Sequence, residues 1–278
     1  MAPTDALSIT ALTPAAMEGC LALSAEAGWN QSAADWDVFF RGGTVFGIGD
    51  AHRPDATGAV LPYSGGFGWV SMVLVTAPQR GKGLGTRILC RCIEALGAQG
   101  LCPALDATPA GERIYRPLGF RTQLGLTRWR GMGGGAVPAG VRPLAPTELS
   151  VAAAADAAAF GAERGALLRD LLDRARAQAF RTAEGTGFVL ARPGRQALQI
   201  GPLVAESETE AATLLDAALA RADGPVLLDL ADRWTALAAQ LRARGFTPER
   251  PFNRMALNRA EPFGNPARLM MVAGPELG

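Results

Sequence analysis

The chain has 278 residues, 49% hydrophobic and 19% charged, with a formal net charge of +1. That is enough for two domains of ordinary size, and the balanced charge argues against a nucleic-acid partner. No stretch is long and apolar enough to span a membrane, and residues 1–10 lack a basic segment followed by an apolar run, so a cytoplasmic protein without a secretory leader is expected.

Thr13 and Pro14 open a helix over 14–27, as N-cap and first helical residue. Ser32 caps a second helix over 32–41. Strands are expected at 44–49 and 56–61, followed by a long apolar strand at 68–75. The turn Arg80-Gly81-Lys82-Gly83-Leu84-Gly85 comes next. It leads into a helix over 84–98 that carries Leu84, Ile88, Leu89, Cys92, Ile93 and Leu96 on one face. A strand at 103–107, a helical segment at 110–118 and a strand at 122–130 complete the first half. Residues 131–140 are glycine-rich, lack periodicity and read as a linker.

The second half runs through helices at 147–160 and 164–180, strands at 187–192 and 197–204, a helix at 207–222, a strand at 226–230, a helix at 233–243 and a strand at 252–257. This order repeats the first half. Leu105-Asp106 leads through a helix to Gly119-Phe120, and Leu228-Asp229 leads through a helix to Gly245-Phe246. The chain therefore reads as a diverged repeat: a domain over 1–130, the linker, and a second domain over 141–278.

Cys90 and Cys92 lie two apart on a helix and point in different directions, while Cys20 and Cys102 sit in apolar settings. Reduced, buried thiols are expected. The single histidine, His52, falls in a polar loop, so no zinc site can be assembled.

A buried strand, a basic glycine-rich turn and a helix start together form a cradle for a diphosphate. Glycines let the backbone approach the ligand, and N–H groups of the first helical turn point toward it. A dinucleotide fingerprint needs a third glycine where Arg87 and Ile88 stand, and a P-loop needs Lys-Ser or Lys-Thr where Gly85-Thr86 stands. The pattern that remains, Arg-x-x-Gly-x-Gly on a strand–turn–helix, resembles the acetyl-coenzyme A signature of the GCN5-related N-acetyltransferase (GNAT) superfamily. Ile114-Tyr115-Arg116-Pro117-Leu118-Gly119-Phe120 resembles that superfamily's second motif. The second half is more loosely similar to the GNAT-like domains of bacterial tandem proteins.

The resemblance implies an α/β fold of two tandem domains, each a mixed, mostly antiparallel sheet flanked by helices. It implies acetyl-coenzyme A as co-substrate, with no metal. Backbone groups of Val73 and Val75 would pair with the pantetheine arm, and Arg80, Gly81, Lys82, Gly83, Leu84, Gly85 and Thr86 would hold the diphosphate. Tyr115 would protonate the departing thiolate after direct attack by an amine. Many relatives carry a glutamate on the strand before the turn, but this chain has no Asp or Glu between Asp55 and Glu94. Asp106 is the expected replacement as base, with a helix-cap or turn role as its alternative. Trp29, Asn30 and Trp36, near Glu26, Asp35 and Asp37, either line an acceptor pocket or staple two helices.

At the place of the glycine turn the second half has Glu206, Glu208 and Glu210 and no glycine. Those carboxylates would repel a diphosphate, so the second domain reads as degenerate, with a structural or substrate-shaping role. The function expected is acetyl transfer to a primary amine of a small molecule, by a monomer or homodimer. The alternatives are acetylation of a protein or peptide amine, or acyl-coenzyme A sensing without turnover.

Overall fold

The computed structural model describes residues 8–278; the expectation about a leader falls largely on residues 1–7, outside them. The chain divides into two compact units, one of Met1–Pro62 with Gly66–Ala104 and one of Tyr63–Gly65 with Leu105–Gly278.

In the first unit, strand β1 (Ile9–Ala11) precedes helices α1 (Met17–Glu26) and α2 (Ala33–Gly42). Strands β2 (Thr44–Gly49), β3 (Pro54–Tyr63) and β4 (Phe67–Val75) lead to helix α3 (Leu84–Gly97) and strand β5 (Cys102–Ala107). The strand order is β1-β2-β3-β4-β5. The β1–β2 and β2–β3 pairs are antiparallel, and β4–β5 is parallel, as a connection through a helix allows. Helix α3 buries Leu84, Ile88, Leu89, Cys92 and Leu96, the face expected from its periodicity. It lies close to two bare strand positions. A Cβ at Gly58 would stand 2.2 Å from Ile88 Cγ2, and one at Gly68 2.2 Å from Leu96 Cδ2.

The β4–β5 ladder joins Phe67, Gly68 and Trp69 to Cys102, Pro103 and Ala104. Strand β4 continues past it to Val75 and turns sharply at Met72, whose φ of +54° is rare for a side-chain-bearing residue. The Met72 carbonyl accepts a hydrogen bond from Thr57 Oγ1 at 3.0 Å.

The second unit contains helix α4 (Pro109–Tyr115), strands β6 (Phe120–Met132) and β7 (Val141–Pro143), helices α5 (Leu149–Phe160) and α6 (Gly165–Arg174), and strands β8 (Phe180–Thr182), β9 (Phe188–Pro193) and β10 (Leu198–Val204). Helix α7 (Glu208–Ala220), strand β11 (Pro225–Ala231), helix α8 (Thr235–Ala243) and strands β12 (Thr247–Leu257) and β13 (Leu269–Met271) complete it. Its strand order is β12-β6-β11-β13-β10-β9-β8-β7, with a further β10–β11 pairing. The ladders among these strands are antiparallel except β10–β11, which is parallel. Strand β13 therefore lies between β11 and β10.

The units are cut differently from the expected 1–130, 131–140 and 141–278. Strand β6, read as the last strand of the first domain, pairs with β12 from Phe120↔Leu257 to Arg130↔Thr247, and with β11 from Leu126↔Ala231 to Met132↔Pro225. The two repeat-related strands β6 and β12 are thus neighbours. The glycine-rich stretch that follows is held in place: Gly133 and Gly134 donate to the Gly224 and Leu219 carbonyls, and Gly140 accepts from Ala183. The helix expected over 164–180 stops at Arg174, and β8 begins at Phe180. The short strands β1, β7, β8 and β13 carry too few residues to show an alternation.

The second unit buries four arginine–carboxylate pairs: Arg128–Asp229, Arg164–Asp156, Arg192–Glu276 and Arg254–Asp106. Gln199 adds a hydrogen bond to Asp229 at 2.9 Å. Buried charge of this kind is tolerated when each ion is paired in good geometry.

Candidate functional site

The turn between β4 and α3, Thr76–Gly83, is shaped by glycines at two positive φ angles, Gly81 at +76° and Gly83 at +80°. A Cβ on either would meet nothing within 4 Å, so these glycines serve backbone conformation and leave open space. Gly83 is the N-cap of α3, and no side chain caps the helix. The positive end of the helix dipole, with N–H groups at Leu84, Gly85 and Thr86, is therefore not closed by a side chain from the protein.

The charges around the turn are oriented by the fold. Arg80 donates through Nε to the Val75 carbonyl at 3.1 Å and through Nη2 to Glu26 at 3.1 Å, while Glu26 also accepts from the Ala77 N–H. Lys82 Nζ donates to Gln79 Oε1 at 2.9 Å. Val73 and Val75 are half-buried and lie beyond the end of the β4–β5 ladder. Ser71, in the same stretch, is 8% exposed, and its hydroxyl has no hydrogen-bond partner. Nothing in the amino-acid pattern singles it out, because a serine in an apolar strand carries no motif.

The corresponding place in the second unit is closed. Only Ala205–Ser207 separates β10 from α7. Ser207 Oγ caps the helix by accepting from the Glu210 N–H at 3.2 Å, and Glu210 Oε2 accepts from the N–H of Glu206, just before the cap, at 2.7 Å. Glu208 accepts from the Ala236 N–H at 3.1 Å, and Glu206 pairs with Arg268. Three carboxylates and no glycine stand at this place, which disfavours a diphosphate. The structure adds that the turn is shorter and the helix end already capped.

Of the residues expected to line an acceptor pocket or staple two helices, Trp36 is fully buried, packs edge-on against Phe39, and donates its indole N–H to Ser24 Oγ at 3.0 Å. It is a staple between α1 and α2 and has no polar group left to offer a substrate. Asp35 completes a capping box with Ser32, and Asp37 pairs with Arg41. Trp29 is half-buried and Asn30 buried, and the neighbouring Gln31 has a buried carbonyl oxygen with no partner.

Tyr115 and Asp106 belong to the second unit. Tyr115 ends α4, half-buried, its ring 5.9 Å from that of Phe120. It lies back over Gly111, where a Cβ would stand 2.9 Å from its Cε2. Asp106 does not stand ready as a base. Both its oxygens accept from Arg254, at 2.9 Å each, and its side chain is inaccessible. Burial raises its pKa while Arg254 pulls it back down. Its cap alternative is not realised either, because Thr108 caps α4 by accepting from Gly111 at 3.2 Å.

Cys20 and Cys92 are buried, and burial pushes both thiols up to about 12. Cys90 and Cys102 are only half-buried. His52 is exposed, its Nδ1 3.2 Å from the Ala15 carbonyl. Among the described residues no cluster suited to a metal ion occurs, and no helix is long and apolar enough to cross a membrane. A cavity of about 440 Å³ lined by Ser150, Val151, Ala154, Ala155, Thr186 and Arg268 lies in the second unit and holds none of the candidate residues.

Residues 152–269 match the family model for an acetyltransferase (GNAT) domain. The match thus falls in the half that lacks the glycine turn. The chain is 25% identical over 260 residues to holothin acyltransferase of a Pseudoalteromonas strain, covering 90% of this chain and 87% of that protein. It is also 25% identical over 238 residues to an uncharacterised N-acetyltransferase, YitH, of Bacillus subtilis, covering 83% and 84%. Among solved structures, a candidate acetyltransferase from Pyrococcus horikoshii aligns with a TM-score of 0.81 at 18% identity, over 99% of this chain and 96% of that one. A tandem GNAT protein from the clavulanic acid biosynthesis pathway aligns with a TM-score of 0.60 at 15% identity, over 90% and 98%. Residues 152–269 thus carry a GNAT-type acetyltransferase domain, and the mixed sheets of the chain share the fold of GNAT proteins.

Proposed function

We propose that the chain transfers an acetyl group from acetyl-coenzyme A to a primary amine of a small molecule, and that the donor is held at the turn Arg80–Thr86. The observation that carries this reading is the contrast between two related helix starts. The start of α7 is capped by the Ser207 side chain, whereas that of α3 has no side-chain cap and sits behind two positive-φ glycines. A diphosphate would satisfy the open one. Acetyl-coenzyme A supplies the activated acyl group when bound. Val73 and Val75 offer strand backbone to its amides, and Arg80 and Lys82 add positive charge at the mouth.

Tyr115 serves as the proton donor to the departing thiolate, a role open to a phenol on a half-buried ring. No carboxylate is assigned as base, because Glu26, Asp35, Asp37 and Asp106 are all engaged by protein partners. The amine then reacts from its neutral fraction, losing its proton to water. A small-molecule acceptor is supported by the Pseudoalteromonas relative, whose name makes it an acyltransferase of holothin. Engagement of those carboxylates equally favours a second reading, an acyl-coenzyme A sensor without turnover.

Thiol release from acetyl-coenzyme A across a panel of small amines separates the two. Turnover that rises with pH for one amine class supports the transferase, and binding without turnover on every amine supports the sensor. Gly83→Asp is expected to abolish donor binding in calorimetry. Retained binding would remove the turn from the site.

A further inference from the structure

The parallel pairs β4–β5 and β10–β11 are built alike. The first joins Phe67, Gly68 and Trp69 to 102–104, and the second joins Leu198, Gln199 and Ile200 to Val226, Leu227 and Leu228. Just past the ladder each leading strand is distorted, at Met72 with φ +54° in β4 and between Ile200 and Leu203 in β10. In the second unit the strand that fills the opening is the chain's own β13. It runs antiparallel to both arms, with Met271 opposite Leu203 and Leu230, and Leu269 opposite Val204.

The fit extends beyond these pairs. Ala205 N–H donates to the Arg268 carbonyl at 3.2 Å, Val272 N–H to the Asp229 carbonyl at 3.1 Å, and Trp234 Nε1 to the Leu269 carbonyl at 2.8 Å. Gly201 makes the close approach possible, since a Cβ there would stand 2.0 Å from the Val272 oxygen. The segment continues into anchors of its own. Arg192 donates to the Ala273 carbonyl and pairs with Glu276, Arg164 donates to the Leu277 carbonyl at 3.1 Å, and Tyr63 donates to the same carbonyl at 2.8 Å.

An extended segment placed antiparallel between two strands offers its amides to both edges, as an extended amide-bearing ligand would. We propose that the opening between β10 and β11 is a second strand-accepting site of this chain, and that Leu269–Val272 fills it permanently in cis. The protein then takes up one acyl-coenzyme A per chain. Only that count rests on the donor reading above; the cis occupancy does not. A tethered occupant competes at high effective concentration, and a free pantetheine arm would have to displace it from a buried position. The short, capped turn Ala205–Ser207 offers the incoming diphosphate nothing in return.

The test combines titration of the intact chain with acetyl-coenzyme A and hydrogen exchange read by mass spectrometry. One equivalent is expected, with amides of 269–273 exchanging at least about 1000-fold slower than unstructured amides, with and without saturating ligand. In Gly201→Ala, whose methyl meets the Val272 carbonyl, the same amides are expected to exchange at least about tenfold faster. A second equivalent per chain, or ligand-induced exchange at 269–273, overturns the proposal, as does unchanged exchange in Gly201→Ala. A chain that binds no acetyl-coenzyme A removes the donor reading alone. Protection of 269–273 in that chain still supports cis occupancy, and fast exchange there overturns it.

Discussion

Tyr115 leans on a residue without a side chain, and this makes its position sensitive to a single methyl group. Alanine at an interior helix position is normally favoured over glycine by about 1 kcal/mol. At Gly111 the new Cβ would press on the Tyr115 ring, so Gly111→Ala is expected to forfeit that gain and to lower kcat. Tyr115→Phe should lower kcat without changing donor affinity, and normal turnover would end the proton-donor assignment. Asp106 invites a different test. Removing one partner of a buried ion pair costs about 3–5 kcal/mol, because the other charge is left unpaired. Asp106→Ala should show a loss of that size in urea unfolding, while Asp106→Leu with Arg254→Met should recover much of it. If the double variant keeps kcat, Asp106 holds the fold and not the reaction. Tyr63 sets an alkaline limit. Burial pushes its phenol up from 10.0 to about 12, so the folded chain holds the proton more tightly than the unfolded one. The resulting stability is complete below about pH 10 and is lost as pH rises toward about 12. Tyr63→Phe should flatten that part of the stability–pH curve, although Cys20 and Cys92 contribute in the same sense.

At the scale of elements, the seat of α3 is a close fit against two bare strand positions. Gly58→Ala and Gly68→Ala would each drive a methyl into Ile88 or Leu96, and each is expected to destabilise by about 1–3 kcal/mol in denaturant unfolding. The helix itself was legible in the sequence, because six apolar residues at helical spacing leave one solution. The turn before it was legible for a related reason: glycine is the cheapest residue at positive φ, and two such positions beside basic residues have few uses. Trp36 shows where that legibility ends. An exposed indole and a buried indole hydrogen-bonded to Ser24 look the same in sequence, since the deciding partner lies twelve residues away on another helix. Asp106 was misread likewise, because Arg254 lies on β12 and nothing local announces it.

For the whole molecule, the repeat of elements was readable and its assembly was not. Strand pairing is a long-range choice that period and composition leave open. β13 escaped notice because three apolar residues between loops show no alternation. The strand at 122–130 is readable as a strand, but its partners β11 and β12 lie beyond the domain boundary that the sequence suggests at residue 130. A fragment of residues 1–130 would separate β6 from both β11 and β12 and leave two bare edges. That fragment is expected to aggregate at concentrations where the intact chain stays dispersed in light scattering. The pairing of β6 with β12 also limits how the chain can be divided. A break in the glycine-rich stretch near residue 135 would take β6 from between β12 and β11 and leave the second unit's sheet without a middle strand. The stretch that repeats in sequence is therefore not a stretch that can be exchanged on its own.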